Sequence, residues 1–184
     1  MESFLTSTFT VALAEIGDKT QLLSLVLAAR FKNKWAIISG ILAATILNHG
    51  LSAWLGNWLA QFLQSELGQM MIGGSFIVLA GWLLIPDNDE DVDKNFDKLG
   101  AFWVSTILFF FAEIGDKTQI ATVLLGAQFE SIIWVTIGTT LGMLIANAPV
   151  VLAGDYLMKK IPLNITRIIA AAAFAMVGLF HILG

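Results

Sequence analysis

The chain has no cysteine, few charges and no basic face. Without cysteine there are no disulfides and no thiolate metal sites, and the redox compartment stays open. Charged residues make up 13% and hydrophobic residues 57% of 184 residues, one domain's worth, whereas soluble domains average roughly 25% charged. So few charges cannot clothe a globular surface, and lipid is expected to cover much of it. The net charge is −4, but acids crowd into the stretch "DNDEDVDKNFD". Nothing basic enough for nucleic acid remains. The start, "MESFLTSTF", lacks a basic n-region and an A-x-A site. It reads as the beginning of the first helix and not as a signal peptide.

What the chain has instead is long apolar runs. A spanning helix needs about 20 mostly apolar residues, and six stretches qualify: 4–29, 35–61, 67–86, 100–128, 131–157 and 163–183. The expected fold is an all-α integral membrane protein. Several runs exceed the minimum, so tilting or breaking is expected. Outside the charged motifs described next, the basic residues are Arg30, Lys32, Lys34, Lys94, Lys98, Lys159, Lys160 and Arg167. All fall in or beside the first, third and fifth connections. Basic residues stay cytoplasmic, so both termini are expected outside.

The octapeptide "AEIGDKTQ" occurs at Ala14–Gln21 and again at Ala112–Gln119. The similarity extends beyond it at an offset of 98: Phe4, Ser7 and Thr8 match Phe102, Ser105 and Thr106, Ser24 matches Thr122, Gly40 and Gly56 match Gly138 and Gly154, and His49 matches Asn147. Gly81 matches Gly178 after a one-residue gap. The chain therefore reads as two three-helix repeats, 1–86 and 99–184, joined by an acidic cytoplasmic linker at 87–98. Three helices per repeat is odd, so the second repeat is expected to enter the membrane inverted, as in many secondary transporters with midplane sites.

Each motif puts charge where lipid penalises it. On a continuous helix Glu15, Asp18 and Lys19 would share one face, with Gln21 beside Asp18, Thr20 pointing elsewhere and Gly17 suited to close packing or a local break. Glu113, Asp116, Lys117, Thr118, Gln119 and Gly115 repeat the pattern. If the two faces meet, four carboxylates and two ammonium groups leave two formal negative charges, matching one divalent cation. Oxygen donors suit Ca²⁺, Mg²⁺ or Mn²⁺; Asn48, Asn147, Gln21, Gln119, Ser24 and Thr122 can add more. The one nearby imidazole is His49, whose mate Asn147 points to a shared polar contact; a soft-metal site is not expected. Clustered carboxylates cannot all stay ionised without the cation, so metal and protons should compete for the site. That competition is what antiport requires. No cofactor is expected beyond the transported ion.

The doubled E-φ-G-D-[KR]-[ST] signature resembles the family of cation/proton exchangers that includes the Golgi manganese transporter, and within it the bacterial manganese exporters of the MneA type. The resemblance covers the whole chain. It implies Mn²⁺ transport, with Ca²⁺ as a second cargo, in exchange for protons. It places the motif acids on Glu15, Asp18, Glu113 and Asp116, and the basic and hydroxyl positions on Lys19, Thr20, Lys117 and Thr118. It also implies export across a bacterial cytoplasmic membrane. The expected partners are the cation, protons and the bilayer; a homo-oligomer stays open.

Other readings compete. An exporter of amino acids or another small cationic solute would also use midplane acids and lysines, though a symmetric acid cluster suits it poorly. An intramembrane aspartyl protease needs two acids sharing a proton, which adjacent lysines would disturb. A passive channel is the third. Asp155, four residues before Lys159, reads as an interfacial ion pair, His181 as an interfacial residue, and Trp35, Trp54, Trp58 and Trp103 as interfacial aromatics.

Overall fold

Two glycines decide the architecture. Gly17 and Gly115 hold φ of 86° and 75°, in the left-handed region that a residue with a Cβ enters only at a penalty. Each stops a helix two residues after a motif glutamate, and the next aspartate starts a new helix as its N-cap. The expected run 4–29 is thus α1 (Glu2–Glu15) and α2 (Lys19–Arg30), and 100–128 is α5 (Gly100–Glu113) and α6 (Lys117–Phe129). The other helices are α3 (Lys34–Ala60), α4 (Glu66–Leu83), α7 (Ile132–Ala153) and α8 (Leu163–Leu183). The computed structural model describes residues 1–63, 65–85, 99–154 and 163–183. The acidic linker, Asp155, Lys159 and Lys160 lie outside them, as do the side chains of Arg167 and His181.

The described residues are helical, with no strand among them. Side-chain caps open α3, α4 and α6: Asn33 Oδ1 accepts from the Ala36 amide at 3.1 Å, Ser65 Oγ from the Gly68 amide at 3.1 Å and Asp116 Oδ2 from the Thr118 amide at 3.5 Å. Among the described residues three helices, Lys34–Ala60, Glu66–Leu83 and Ile132–Ala153, are long and apolar enough to cross a membrane. α7 ends four residues short of the expected 157, where Gly154 takes a φ of 62°. α4 likewise stops at Leu83 in a turn.

The two repeats pack against each other: the broken α1 lies on the continuous α7, the broken α5 on the continuous α3, and α4 on α8. Glycines permit the approach. A Cβ at Gly138 would sit 2.6 Å from the Phe4 carbonyl oxygen, and one at Gly40 would sit 2.5 Å from that of Phe102. Both are closer than Cβ atoms come, and the two contacts are related by the same offset of 98. Gly73 and Gly178 do the same between α4 and α8. Small residues at such crossings are how helices associate in lipid, where no hydrophobic force drives them together.

The distribution of polarity is the reverse of a soluble protein's. Glu15, Thr20, Gln21, Ser24, Asn48, His49, Glu113, Thr118, Thr122 and Asn147 are buried, while Phe9, Trp35, Leu51, Trp54, Val78, Ile133 and Phe180 are exposed. A rim so apolar needs a nonaqueous partner, and the interior needs internal hydrogen bonds.

Candidate functional site

The helix breaks put two motifs face to face. Glu15 is the last residue of α1 and Glu113 the last of α5. Asp18 and Asp116 cap the following helices. The break is locked the same way in each repeat. Gln21 Oε1 accepts from the Gly17 amide at 2.8 Å, and Gln119 Oε1 accepts from the Gly115 amide at 2.7 Å. The Asp18 and Asp116 amides donate to the carbonyls of Glu15 and Glu113, both at 3.1 Å. The positive ends of α2 and α6 therefore start at the acids, which favours negative charge there.

The threonines correct the sequence reading. A continuous helix would turn Thr20 away, but across the break its hydroxyl donates to Glu15 Oε2. Thr118 Oγ1 donates to Glu113 Oε2 at 2.8 Å and also lies 3.3 Å from Asp116 Oδ2. The shared-face geometry for Glu15, Asp18 and Lys19 fails for the same reason: the helix is interrupted between them.

Glu15, Glu113 and Asp116 each offer a carboxylate oxygen, all three within 4.8 Å of one another, and all three residues are buried. Two donors about 2.0 to 2.4 Å from one octahedral ion lie about 2.8 Å apart when adjacent and up to about 4.8 Å when opposite. The spacing suits one ion. Among the described residues no hydrogen-bond donor reaches Glu15 Oε1 or Glu113 Oε1, so each keeps lone pairs for a ligand. Asp18 is buried but lies outside this trio.

The amides brace the carboxylates from the continuous helices. Asn147 Nδ2 lies 3.3 Å from Glu15 Oε2, and Asn147 Oδ1 accepts from Ser24 Oγ at 2.8 Å. Asn48 donates to the Phe110 carbonyl at 3.1 Å and accepts from Gln119 Nε2. Gln21 Nε2 donates to the Ala146 carbonyl at 2.9 Å. The lysines part company. Lys19 Nζ sits 3.2 Å from Asp116 Oδ1, whereas Lys117 Nζ donates to the Ile85 carbonyl at 2.8 Å. The two motifs are identical in sequence and yet differently engaged.

Helices interrupted at buried charge, inside an apolar rim, are the architecture of a membrane transporter. Comparison with known proteins agrees. Residues 3–91 and 101–184 match the family described as "Divalent cation/proton antiporter GDT1", and the chain belongs to that family. A Vibrio cholerae protein named "Putative manganese exporter" is 51% identical over 92% of this chain and 85% of its own length. A "GDT1-like protein 4" of rice (Oryza sativa subsp. indica) is 27% identical over 87% of this chain and 66% of its own. A "GDT1-like protein sll0615" of Synechocystis is 25% identical over 95% and 93%. No solved structure matches the chain significantly.

Proposed function

We propose that this protein exports a divalent cation, Mn²⁺ with Ca²⁺ as the alternative cargo, from the cytoplasm of a bacterium in exchange for protons. The observation that carries the reading is the buried trio of Glu15, Glu113 and Asp116, drawn from two broken helices into the span of one ion. The family membership and the manganese exporter relative support the choice of cargo. Six spans in two inverted repeats, with both termini outside, follow from the odd number of helices per repeat and from the basic connections.

Chemically, the site works as an exchange. With the cation bound, the three carboxylates are ionised and Thr20, Thr118 and Asn147 hold their oxygens in place. Asp18 joins from the cap of α2 as the halves move. When the cation leaves, unshielded carboxylates this close cannot all remain charged, and protons replace it. Lys19, beside Asp116, is the internal counter-ion of the empty site. Lys117 takes the equivalent place beside Asp18 when the opposite face opens. Gln21, Gln119 and Asn48 keep the breaks and the crossing helices in register.

Reconstituted vesicles test this. Wild type should move Mn²⁺ in response to an imposed pH gradient. Glu15→Gln and Asp116→Asn should insert normally and move none. Flux indifferent to the pH gradient would remove the antiport reading, and near-normal flux in both variants would place the site elsewhere.

A further inference from the structure

The second half of each broken helix meets its neighbours differently. α2 and α6 are mates across the offset of 98. α6 is clamped to α3 by a two-way glycine crossing. A Cβ at Gly56 would collide with the Val123 carbonyl oxygen, and one at Gly126 would sit 2.6 Å from that of Ala53. At the mated crossing of α2 with α7 the sequence forbids so close an approach. Ala28 stands where α6 has Gly126, Val151 stands where α3 has Ala53, and Gly154, the mate of Gly56, lies beyond the end of α7. Bulkier side chains hold helix axes further apart, and close packing is what joins helices in lipid. α4 adds a second grip on α6. It packs against that helix, and Lys117 Nζ donates to the Ile85 carbonyl just past the end of α4. Among the described residues its mate α8 packs on α1 and makes no comparable contact with α2. The side-chain hydrogen bonds from α2 to α7 lie near the site. Gln21 Nε2 donates to the Ala146 carbonyl, and Ser24 Oγ donates to Asn147, the amide beside Glu15.

We propose that α2 is a hinged gate over the site, while α6 moves only together with α3. The inference rests on the carboxylate site and on the orientation proposed above, which puts α2 on the cytoplasmic side. The hinge is the break at Gly17, whose φ is 86°; hinges are a few residues at the ends of elements that absorb the backbone change. The difference between the two helices is written in residue type, so the gate is built into one repeat. The site reflects the same division. Asp116, which caps the clamped helix, belongs to the carboxylate trio, whereas Asp18, which caps α2, lies outside it. Coupling runs through Asn147, which braces Glu15 and accepts from Ser24. A change of charge on Glu15 therefore reaches the contact between α2 and α7 through one side chain. Elements that move are drawn from the less stable parts of a fold.

Hydrogen exchange read by mass spectrometry, on wild-type full-length protein in detergent, tests this. Without cation the amides of α2 should exchange about tenfold or more faster than the matching amides of α6. Mn²⁺ should slow α2 and leave α6 unchanged. Gly126→Ala gives α6 the Cβ that Ala28 gives α2. Alanine favours the helix itself over glycine, so the faster exchange expected in α6 of this variant reports the lost crossing. Equal protection of α2 and α6 in the wild type, faster exchange in α6, or an α6 unmoved by Gly126→Ala would each overturn the inference. The carboxylate site is judged separately. Glu113→Gln should abolish the effect of Mn²⁺, and an effect that survives it would overturn the site without changing the ranking of the two helices.

Discussion

Thr20 and Thr118 show how much a single hydroxyl decides. Each reaches back across the break to the glutamate five residues earlier and holds its Oε2 in place. Groups that orient metal-binding carboxylates matter nearly as much as the carboxylates themselves. Thr118→Val, which keeps shape and removes the donor, should weaken cation binding by about tenfold. Thr20→Val should do the same through Glu15. Calorimetric titration with Mn²⁺ checks both, and unchanged affinity would show that the glutamates orient without them. The lysine pair makes a further point at this scale. Lys19 and Lys117 occupy identical sequence contexts, yet Lys19 pairs with Asp116 and Lys117 with a backbone carbonyl. Local sequence does not set the partner of a long, flexible side chain.

At the scale of elements, the breaks between α1 and α2 and between α5 and α6 carry the site. An unbroken helix would bond the amides of residues 17 and 115 within itself, whereas here they donate to the side chains of Gln21 and Gln119. No atom would crowd a Cβ at Gly115, so Gly115→Ala is destabilising through backbone conformation alone, by about 1–2 kcal/mol. Thermal unfolding in detergent should register that loss, and cation flux should fall with it as the acids leave register. A stable, fully active Gly115→Ala would mean that the left-handed turn is dispensable. Gly138→Ala is different, because its Cβ would meet the Phe4 carbonyl oxygen at 2.6 Å. Separating α7 from α1 in this way should be destabilising by about 1–3 kcal/mol, the range for overpacking. Gly40→Ala should match it, because the same crossing recurs between α3 and α5.

Over the whole molecule, the arrangement inverts the usual partition of polarity, and this is what ties fold to function. An isolated carboxylate at the bilayer centre is unfavourable by about 3 kcal/mol on insertion scales. Several such groups persist because each finds partners in the opposite repeat: Asn147 for Glu15, and Lys19 for Asp116. The same interleaving ties the two repeats together at the buried charges. The layout proposed here is checked by an epitope tag after Gly184, which should be accessible from outside intact cells. A cytoplasmic tag would overturn the orientation inferred from the basic connections.

The doubled octapeptide, the helical apolar runs and the paired glycines of the helix crossings were legible in the one-dimensional chain, because each depends on residue type and spacing alone. Tertiary structure decided the rest. A positive φ at Gly17 and Gly115 turned two expected spans into four helices and swung Thr20 and Thr118 onto the glutamates, because backbone direction at glycine is settled by surroundings and not by sequence pattern. Crosswise packing then chose which three carboxylates converge, sent two identical lysines to different partners, and left an imidazole and an amide at matching stations with different neighbours, since such contacts depend on distances between segments nearly a hundred residues apart.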